Sequence, residues 1–303
     1  MVRVLFASVA KNISQYFKNI KESFELFCDH EPASQMLVIE SQSEDDSKSL
    51  LLDWMVKDNR VNVYHDTFTF DEIKREMCIR TIKNQNFKQE EIARCRNILL
   101  QHIHDQQYEK VEYVIMFDWN IFTLLPVQKL YNCLTCKTLD FDALISFKVD
   151  DTQSMSDKYS FRDSKFPFGP EIIGGIYSKT DYQLQIDEHL DGFYETNIPV
   201  ISGFNMLTIF RKSVLHDLNY SVIPTRYLDA LYRERCDDFI MPTTFDVNGS
   251  PLGMFIFNEQ DNPLFYYFNM SCNFPVCNMH VNFFLQLRNN GCHKIFMSKD
   301  LVW

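Results

Sequence analysis

Tyr113-Val114-Ile115-Met116-Phe117-Asp118-Trp119-Asn120 is the stretch whose reading decides the fold. Five apolar or aromatic residues run unbroken into an acidic one, the pattern of a strand buried on both faces that delivers Asp118 to its carboxyl end. Ligands of open α/β sheets bind at that end. Asp118 and Asn120 are two residues apart, so a chain that leaves strand geometry there can turn both oxygen-bearing side chains toward one divalent cation. Ligation by oxygen alone suits Mg²⁺ or Mn²⁺, which keep positions open for substrate phosphates. The plainer alternative is a buried strand running into a polar turn.

Upstream of this stretch, strand and helix patterns alternate. Val2 to Ala7 reads as a strand and Ser8 to Asn12 as a loop. Ile13, Tyr16, Phe17, Ile20, Phe24 and Phe27 then recur at helical spacing. A second strand, Met36 to Ile39, runs into the acidic turn Glu40 to Ser47. A short helix through Leu50, Leu51, Trp54 and Met55 follows, then a third strand at Val61 to Tyr64. Such alternation predicts a mostly parallel sheet with crossover helices. Glu40, at a strand tip, is placed to accept hydrogen bonds from a ribose or base, whereas Asp46 and Ser47 are expected to cap the next helix. No Gly-x-Gly-x-x-Gly and no Gly-x₄-Gly-Lys-Ser/Thr follows the first strand, which disfavours the usual dinucleotide and P-loop sites.

Residues 71–86 carry Lys74, Arg75, Arg80 and Lys83, either a patch that neutralises a diphosphate or a solvated helix face. A helix from Gln89 to Ile103 leads into the opening stretch. Its Arg94, Arg96 and Asn97 either hold loops around a ligand or pair at the surface.

Downstream, Phe141 to Phe147 is a strand ending near Asp150 and Asp151, and Ser156 to Asp163 begins an aromatic loop of the kind that recognises sugar-like substrates or merely connects. Pro199 to Phe210 reads as strand, tight turn, strand, with Gly203 relieving the backbone. Strand-like runs recur at Met254 to Phe257 and Leu264 to Phe268. The chain closes with a helix entered at Cys277 to Phe283, Gly291 at its C′ position, and a strand from His293 to Met297.

At 303 residues and 46% hydrophobic content, the chain can bury a sizeable core. A net charge of −11 without a sustained basic stripe argues against general nucleic-acid or membrane-surface binding. Nine cysteines with a single Cys-x₂-Cys, Cys133 to Cys136, fit reduced thiols in a cytoplasmic protein better than a disulfide framework or a zinc site. The opening apolar run is too short for a signal peptide, and no run reaches the ~18 apolar residues of a membrane span.

Several segments, in this order, resemble the cryptococcal-type capsule-associated mannosyltransferases and related glycosyltransferases of large DNA viruses. The likeness runs through Val4 to Ser8, Glu40 to Ser47, Arg96-Asn97, Phe117 to Asn120, Tyr159 to Asp163 and Ser202 to Asn205. Its most distinctive part is the tail from Asn278 to Phe283, through Gly291, to Lys294-Ile295-Phe296.

The resemblance implies a single GT-A type α/β domain over residues 1–303, with a Rossmann-like, mostly parallel central sheet flanked by helices. Residues 1–120 would bind the nucleotide sugar and residues 121–303 the acceptor. It implies transfer of a sugar from a nucleotide diphosphate donor to a hydroxyl of a glycan or glycoprotein, assisted by Mn²⁺ or Mg²⁺ held by Asp118, Asn120 and His280. Donor contacts are expected from Ala7, Ser8, Glu40, Arg75, Arg80, Arg96, Asp118, Ser202 and Asn205, with Asp163 as first candidate base and Asp150 and Asp151 behind it. The viral part of the likeness implies a host-cytoplasmic setting. Two departures stand out: Asn120 replaces the second acidic residue of the family's metal motif, and Asn278-Met279 replace its Cys-Glu pair. A catalytically degenerate carbohydrate-binding or scaffold protein is the alternative.

Overall fold

The computed structural model describes residues 3–67, 84–120, 123–136, 139–148, 157–167, 169, 179–222, 225, 227–228, 230–231, 253–257, 263–267 and 278–302. The first unit is β1 (Val4–Ala10), α1 (Phe17–His30), β2 (Gln35–Glu40), α2 (Ser47–Lys57) and β3 (Val61–His65). Helix α3 (Asn84–Ile103) leads to β4 (Tyr113–Phe117), the strand anticipated at the centre. Then come α4 (Val127–Thr135), β5 (Ala143–Lys148), α5 (Lys179–Asp191), β6 (Asn197–Pro199) and β7 (Leu207–Arg211). A separate hairpin pairs β8 (Gly253–Phe257) with β9 (Pro263–Tyr267), and the chain ends with α6 (Met279–Asn289) and β10 (Ile295–Val302).

Eight strands form one sheet in the order β3-β2-β1-β4-β7-β5-β10-β6. Only β7 and β6 run against the rest, β7 inserted between β4 and β5 and β6 at the edge beside β10. The expected mixed α/β architecture, a mostly parallel sheet flanked by helices, is the one observed. Strands from both halves of the chain share this sheet.

Alternation along each strand sends side chains to two cores. On one face Val4, Phe6 and Ala10 meet α1, α2 and α4 through Ile20, Phe24, Phe27, Leu51, Trp54 and Leu130. On the other, Leu5 and Ala7 meet α3, α5 and α6 through Leu99, Ile103, Ile186, Leu190, Phe283 and Phe284. Phe6 packs edge-on against Phe24 and Phe27, with ring centroids 5.5 and 5.0 Å away. The apolar stripe of α1 therefore does as its spacing requires, locking the helix across β1.

Three local expectations are corrected. Pro199 to Phe210 is not a hairpin, because β6 pairs with β10 while β7 pairs with β4 and β5. Gly203 marks close packing rather than a turn: a Cβ there would lie 3.3 Å from Ile145 Cδ1. The helix-start role expected of Asp46 falls to Asp45, whose carboxylate accepts from Ser47 N at 3.0 Å and from the Ser47 hydroxyl. Gly291, at φ 90°, closes α6 as expected, with Cys292 N donating to Leu287 O.

Candidate functional site

The carboxyl ends of β1 and β4 lie side by side. The crossover leaving β1 packs on one face of the sheet through α1, and the one entering β4 packs on the other through α3. Adjacent connections that part to opposite faces leave a crevice between them, where ligands of open α/β sheets bind. A cleft of ≈ 740 Å³ opens there, walled by the loop after β1, by α3, by the end of β4 and by the start of α6.

Asp118 projects from the end of β4 into this cleft, its side chain 37% exposed. Its backbone N donates to Met206 O at 2.8 Å, and Met206 itself sits at φ 67°. A bulky residue held at positive φ is strained, and here the strained carbonyl fixes how the strand end is presented. Trp119 is buried, stacked on Phe17, and so anchors the turn while Asn120 stays exposed.

Arg96 comes from α3 and His280 from the first turn of α6. The Arg96 Nη2 donates to Asp118 Oδ1 at 2.8 Å, and its Nη1 donates to the His280 ring. Beneath them the Phe204 ring stacks on His280 at 4.0 Å and lies under the guanidinium at 4.7 Å, with Tyr220 5.4 Å from it. Burial, reinforced by the neighbouring guanidinium, pushes His280 well below its ordinary pKa. A neutral imidazole nitrogen can accept a hydrogen bond from the guanidinium, so chemistry and geometry agree.

Asp157, from the segment after β5, also lines the cleft. Burial raises its pKa to about 6, and the charge of Asp118 acts in the same sense. Asn278 Nδ2 donates to Asp157 at 3.1 Å, while the Asn278 oxygen caps α6 by accepting from His280 N at 2.9 Å. One asparagine thus joins the helix start to the carboxylate.

Two motifs picked out in the sequence are stitched together behind this wall. The Ser160 hydroxyl accepts from Phe204 N at 2.7 Å, Ser202 Oγ donates to Ser160 O at 2.7 Å, and Arg162 N donates to Ser202 O at 3.0 Å. Ser160 Oγ also donates to Asp157 O at 2.7 Å, so these bonds hold the backbone of Asp157 and Phe204 in place.

The expected site residues separate into three groups. Asp118, Asn120, Arg96 and His280 come together at the cleft. Ala7, Ser8, Glu40, Ser202, Asn205 and Asp163 are buried and do not line it. Ser8 Oγ donates to Phe117 O at 2.5 Å, tying β1 to β4. Glu40 accepts from Ser43 N at 2.6 Å and meets His65 Nδ1 at 3.1 Å, shaping its own turn. Asn205 Nδ2 donates to Phe147 O at 2.9 Å. Asp163 accepts from Lys165 N and Phe166 N and pairs with His189 Nε2 at 2.5 Å, so both its oxygens are engaged in the fold. Arg75, Arg80, Asp150 and Asp151 lie outside the described residues.

The expected ligand set for Mn²⁺ or Mg²⁺ does not fit this geometry. His280 is buried, sandwiched against Phe204 and bonded by Arg96, whose guanidinium stands between the histidine and Asp118. One carboxylate and one amide remain, and among the described residues no group of three or more His, Cys, Asp or Glu is placed to hold a metal ion.

Asp157 and Phe204 are among the cleft residues that sequence reasoning passed over. Both stood inside quoted motifs, but nothing in their spacing set Asp157 apart from the other acidic residues after β5. Arg94 pairs with buried Asp66, and Asn97 binds the backbone of Tyr220 at 2.6 and 3.0 Å, so the two neighbours of Arg96 brace the helix and a loop.

Fold and site together define a mixed α/β protein with an open cleft at the carboxyl edge of its sheet. No family model matches the chain, and no curated protein matches it. Among solved structures it is similar to S. aureus TarS in complex with UDP-GlcNAc, at 12% identity over 73% of this chain and 49% of that one, with a TM-score of 0.42. It is also similar to the mannosyltransferase PcManGT from Pyrobaculum calidifontis in complex with GDP-Man and Mn²⁺, at 12% identity over 72% and 47%, TM-score 0.39. A third is Mycobacterium tuberculosis glucosyl-3-phosphoglycerate synthase with Mn²⁺, UDP and phosphoglyceric acid, at 10% identity over 92% and 90%, TM-score 0.38. The chain spans about half the length of the first TarS structures it matches. Among the described residues, no helix is long and apolar enough to cross a membrane.

Proposed function

We propose that the protein is a glycosyltransferase of GT-A type organisation that moves a sugar from a nucleotide diphosphate donor to a hydroxyl of a glycan or glycoprotein acceptor. The observation that carries this reading is the cleft of ≈ 740 Å³ at the switch point of the sheet, with Asp118 and Arg96 on its wall. Its size suits a nucleotide sugar. In this reading residues 1–120 form the nucleotide-sugar half and residues 121–303 the acceptor half, apart from the start of α6, which lines the donor cleft beside Arg96.

In the proposed step the acceptor oxygen attacks the anomeric carbon, and the bond from that carbon to the diphosphate breaks with its electron pair leaving on the diphosphate. For an inverting transfer the hydroxyl proton passes to a carboxylate. Asp157 takes the role first expected of Asp163, because it lines the cleft and a carboxylate of pKa about 6 is ionised at neutral pH yet still a useful base. Arg96 meets the charge that develops on the leaving group. No step is routed through a metal ion, since the expected ligands do not converge on one.

Titration with UDP, GDP and CMP, followed by assay of the matching nucleotide sugars for slow hydrolysis, tests the reading. Binding of UDP or GDP together with hydrolysis of its sugar supports it, whereas a response to CMP alone counts against a diphosphate donor. Indifference to all three would leave the degenerate carbohydrate-binding alternative, consistent with Asn120 standing where an acidic residue is expected.

A further inference from the structure

We infer that the guanidinium of Arg96 is the resident counter-charge of this cleft and that a nucleoside diphosphate binds there without a divalent cation. The inference rests on the nucleotide reading given above and goes beyond it in naming what neutralises the phosphates.

Arg96 occupies the position between Asp118 and His280 that a bridging cation would need, donating to Asp118 Oδ1 at 2.8 Å and to the His280 ring. Its side chain is 8% exposed and sits over the rings of Phe204 and Tyr220, at 4.7 and 5.4 Å from their centroids. A guanidinium fixed by a carboxylate, an imidazole and two rings does not vacate readily. A divalent ion brought to Asp118 would face that fixed positive charge at close range.

Several features make Arg96 a phosphate group rather than a mere tie. A guanidinium carries five N–H donors in a planar fork, and the bonds to Asp118 and His280 use two of them. Arg96 lines the cleft, so a ligand filling that space lies against its side chain. Asn278, Met279 and His280, at the amino end of α6, line the same wall and add the favourable end of a helix dipole. Lys11, the other Lys or Arg among the described residues lining this cleft, is paired with Glu91 at 2.7 Å. Asp118 then acts as the partner that orients Arg96 and tempers its charge, not as a metal ligand.

Isothermal titration of UDP and GDP into the full chain, once in EDTA and once with Mn²⁺, tests this directly. The expected result is an affinity in EDTA within about threefold of that with Mn²⁺, a difference under ~1 kcal/mol. Asp118→Asn, which keeps an acceptor for Arg96 but removes the opposing charge, should bind about tenfold tighter in EDTA. Arg96→Gln should weaken binding at least about tenfold under both conditions, with its thermal melt showing whether the fold is retained. Binding that appears only with Mn²⁺ and is lost in Asp118→Asn overturns the inference while leaving the nucleotide reading intact. If neither nucleotide binds the parent protein under either condition, the reading of the cleft fails and the inference fails with it.

Discussion

Arg96 Nη2 lies 2.8 Å from Asp118 Oδ1, a contact that fastens α3 to the tip of β4 and places a positive charge at the mouth of the sheet. The same guanidinium reaches His280, 184 residues further along the chain. A strand end, a helix and the start of the last helix thus share one buried charge, and each can be probed separately.

Asp157 gives the fold a characteristic pH dependence. Its folded pKa, about 6, is above the ordinary carboxylate value of 3.8, so the native state holds the proton more tightly than the unfolded one. The carboxyl is tolerated best when neutral. Its contribution to stability is therefore present at pH 4 and below, is lost as pH rises to about 6, and is level beyond. Asp157→Asn should remove that slope and stabilise the protein at pH 7.5 by on the order of 1–2 kcal/mol, read by urea melts at pH 4.5 and 7.5. Equal melts for parent and variant at both pH values would refute the assignment.

The same substitution should depress sugar transfer strongly, by about 10²–10⁴-fold in kcat, if Asp157 is the base. Donor binding should change far less. Rate and affinity measured on one preparation separate these effects.

Asp163→Asn should behave in the opposite way. It breaks the pairing with His189 and weakens two backbone bonds in a buried setting, costing roughly 3 kcal/mol of stability. UDP and GDP affinity should stay within about twofold of the parent, since the residue does not line the cleft. A large loss of affinity in a well-folded variant would return Asp163 to the site.

Ser8→Ala tests whether the end of β1 binds ligand or binds strand. The hydroxyl donates to Phe117 O across the sheet, and its loss leaves a buried carbonyl short of a partner, for about 1–2 kcal/mol in denaturant melts. Nucleotide affinity should be unaffected.

Phe24→Ala probes the helix–sheet core. Phe24 is fully buried against Phe6 and Trp54, with Arg60 over its ring. Truncation should cost about 3–5 kcal/mol, measured as a drop in the denaturant midpoint.

Much of the fold was legible because burial imposes a period on the chain. The run ending at Phe117, the stripe Ile20, Phe24, Phe27 and the glycine after α6 each encode a local geometry that few neighbours can overrule. The inserted β7 was not legible: its residues look like any buried strand, and direction within a sheet is a property of the connection, not of the side chains. Ser8, Glu40 and Asp163 illustrate the matching ambiguity at the site, where a polar residue near a strand end or in a loop can face a ligand or serve a partner within the fold with the same composition.

The sequence by itself determined the alternation of strand and helix and the delivery of Asp118 to a strand end, because apolar periodicity and the exposure of an acidic residue act over a few neighbouring positions. Only the tertiary structure decided that Arg96 sits between Asp118 and His280, and that Asp157 rather than Asp163 lines the cleft. Those outcomes depend on which distant segments the sheet brings within about 3 Å, the range over which a hydrogen bond acts, and no local pattern carries that distance.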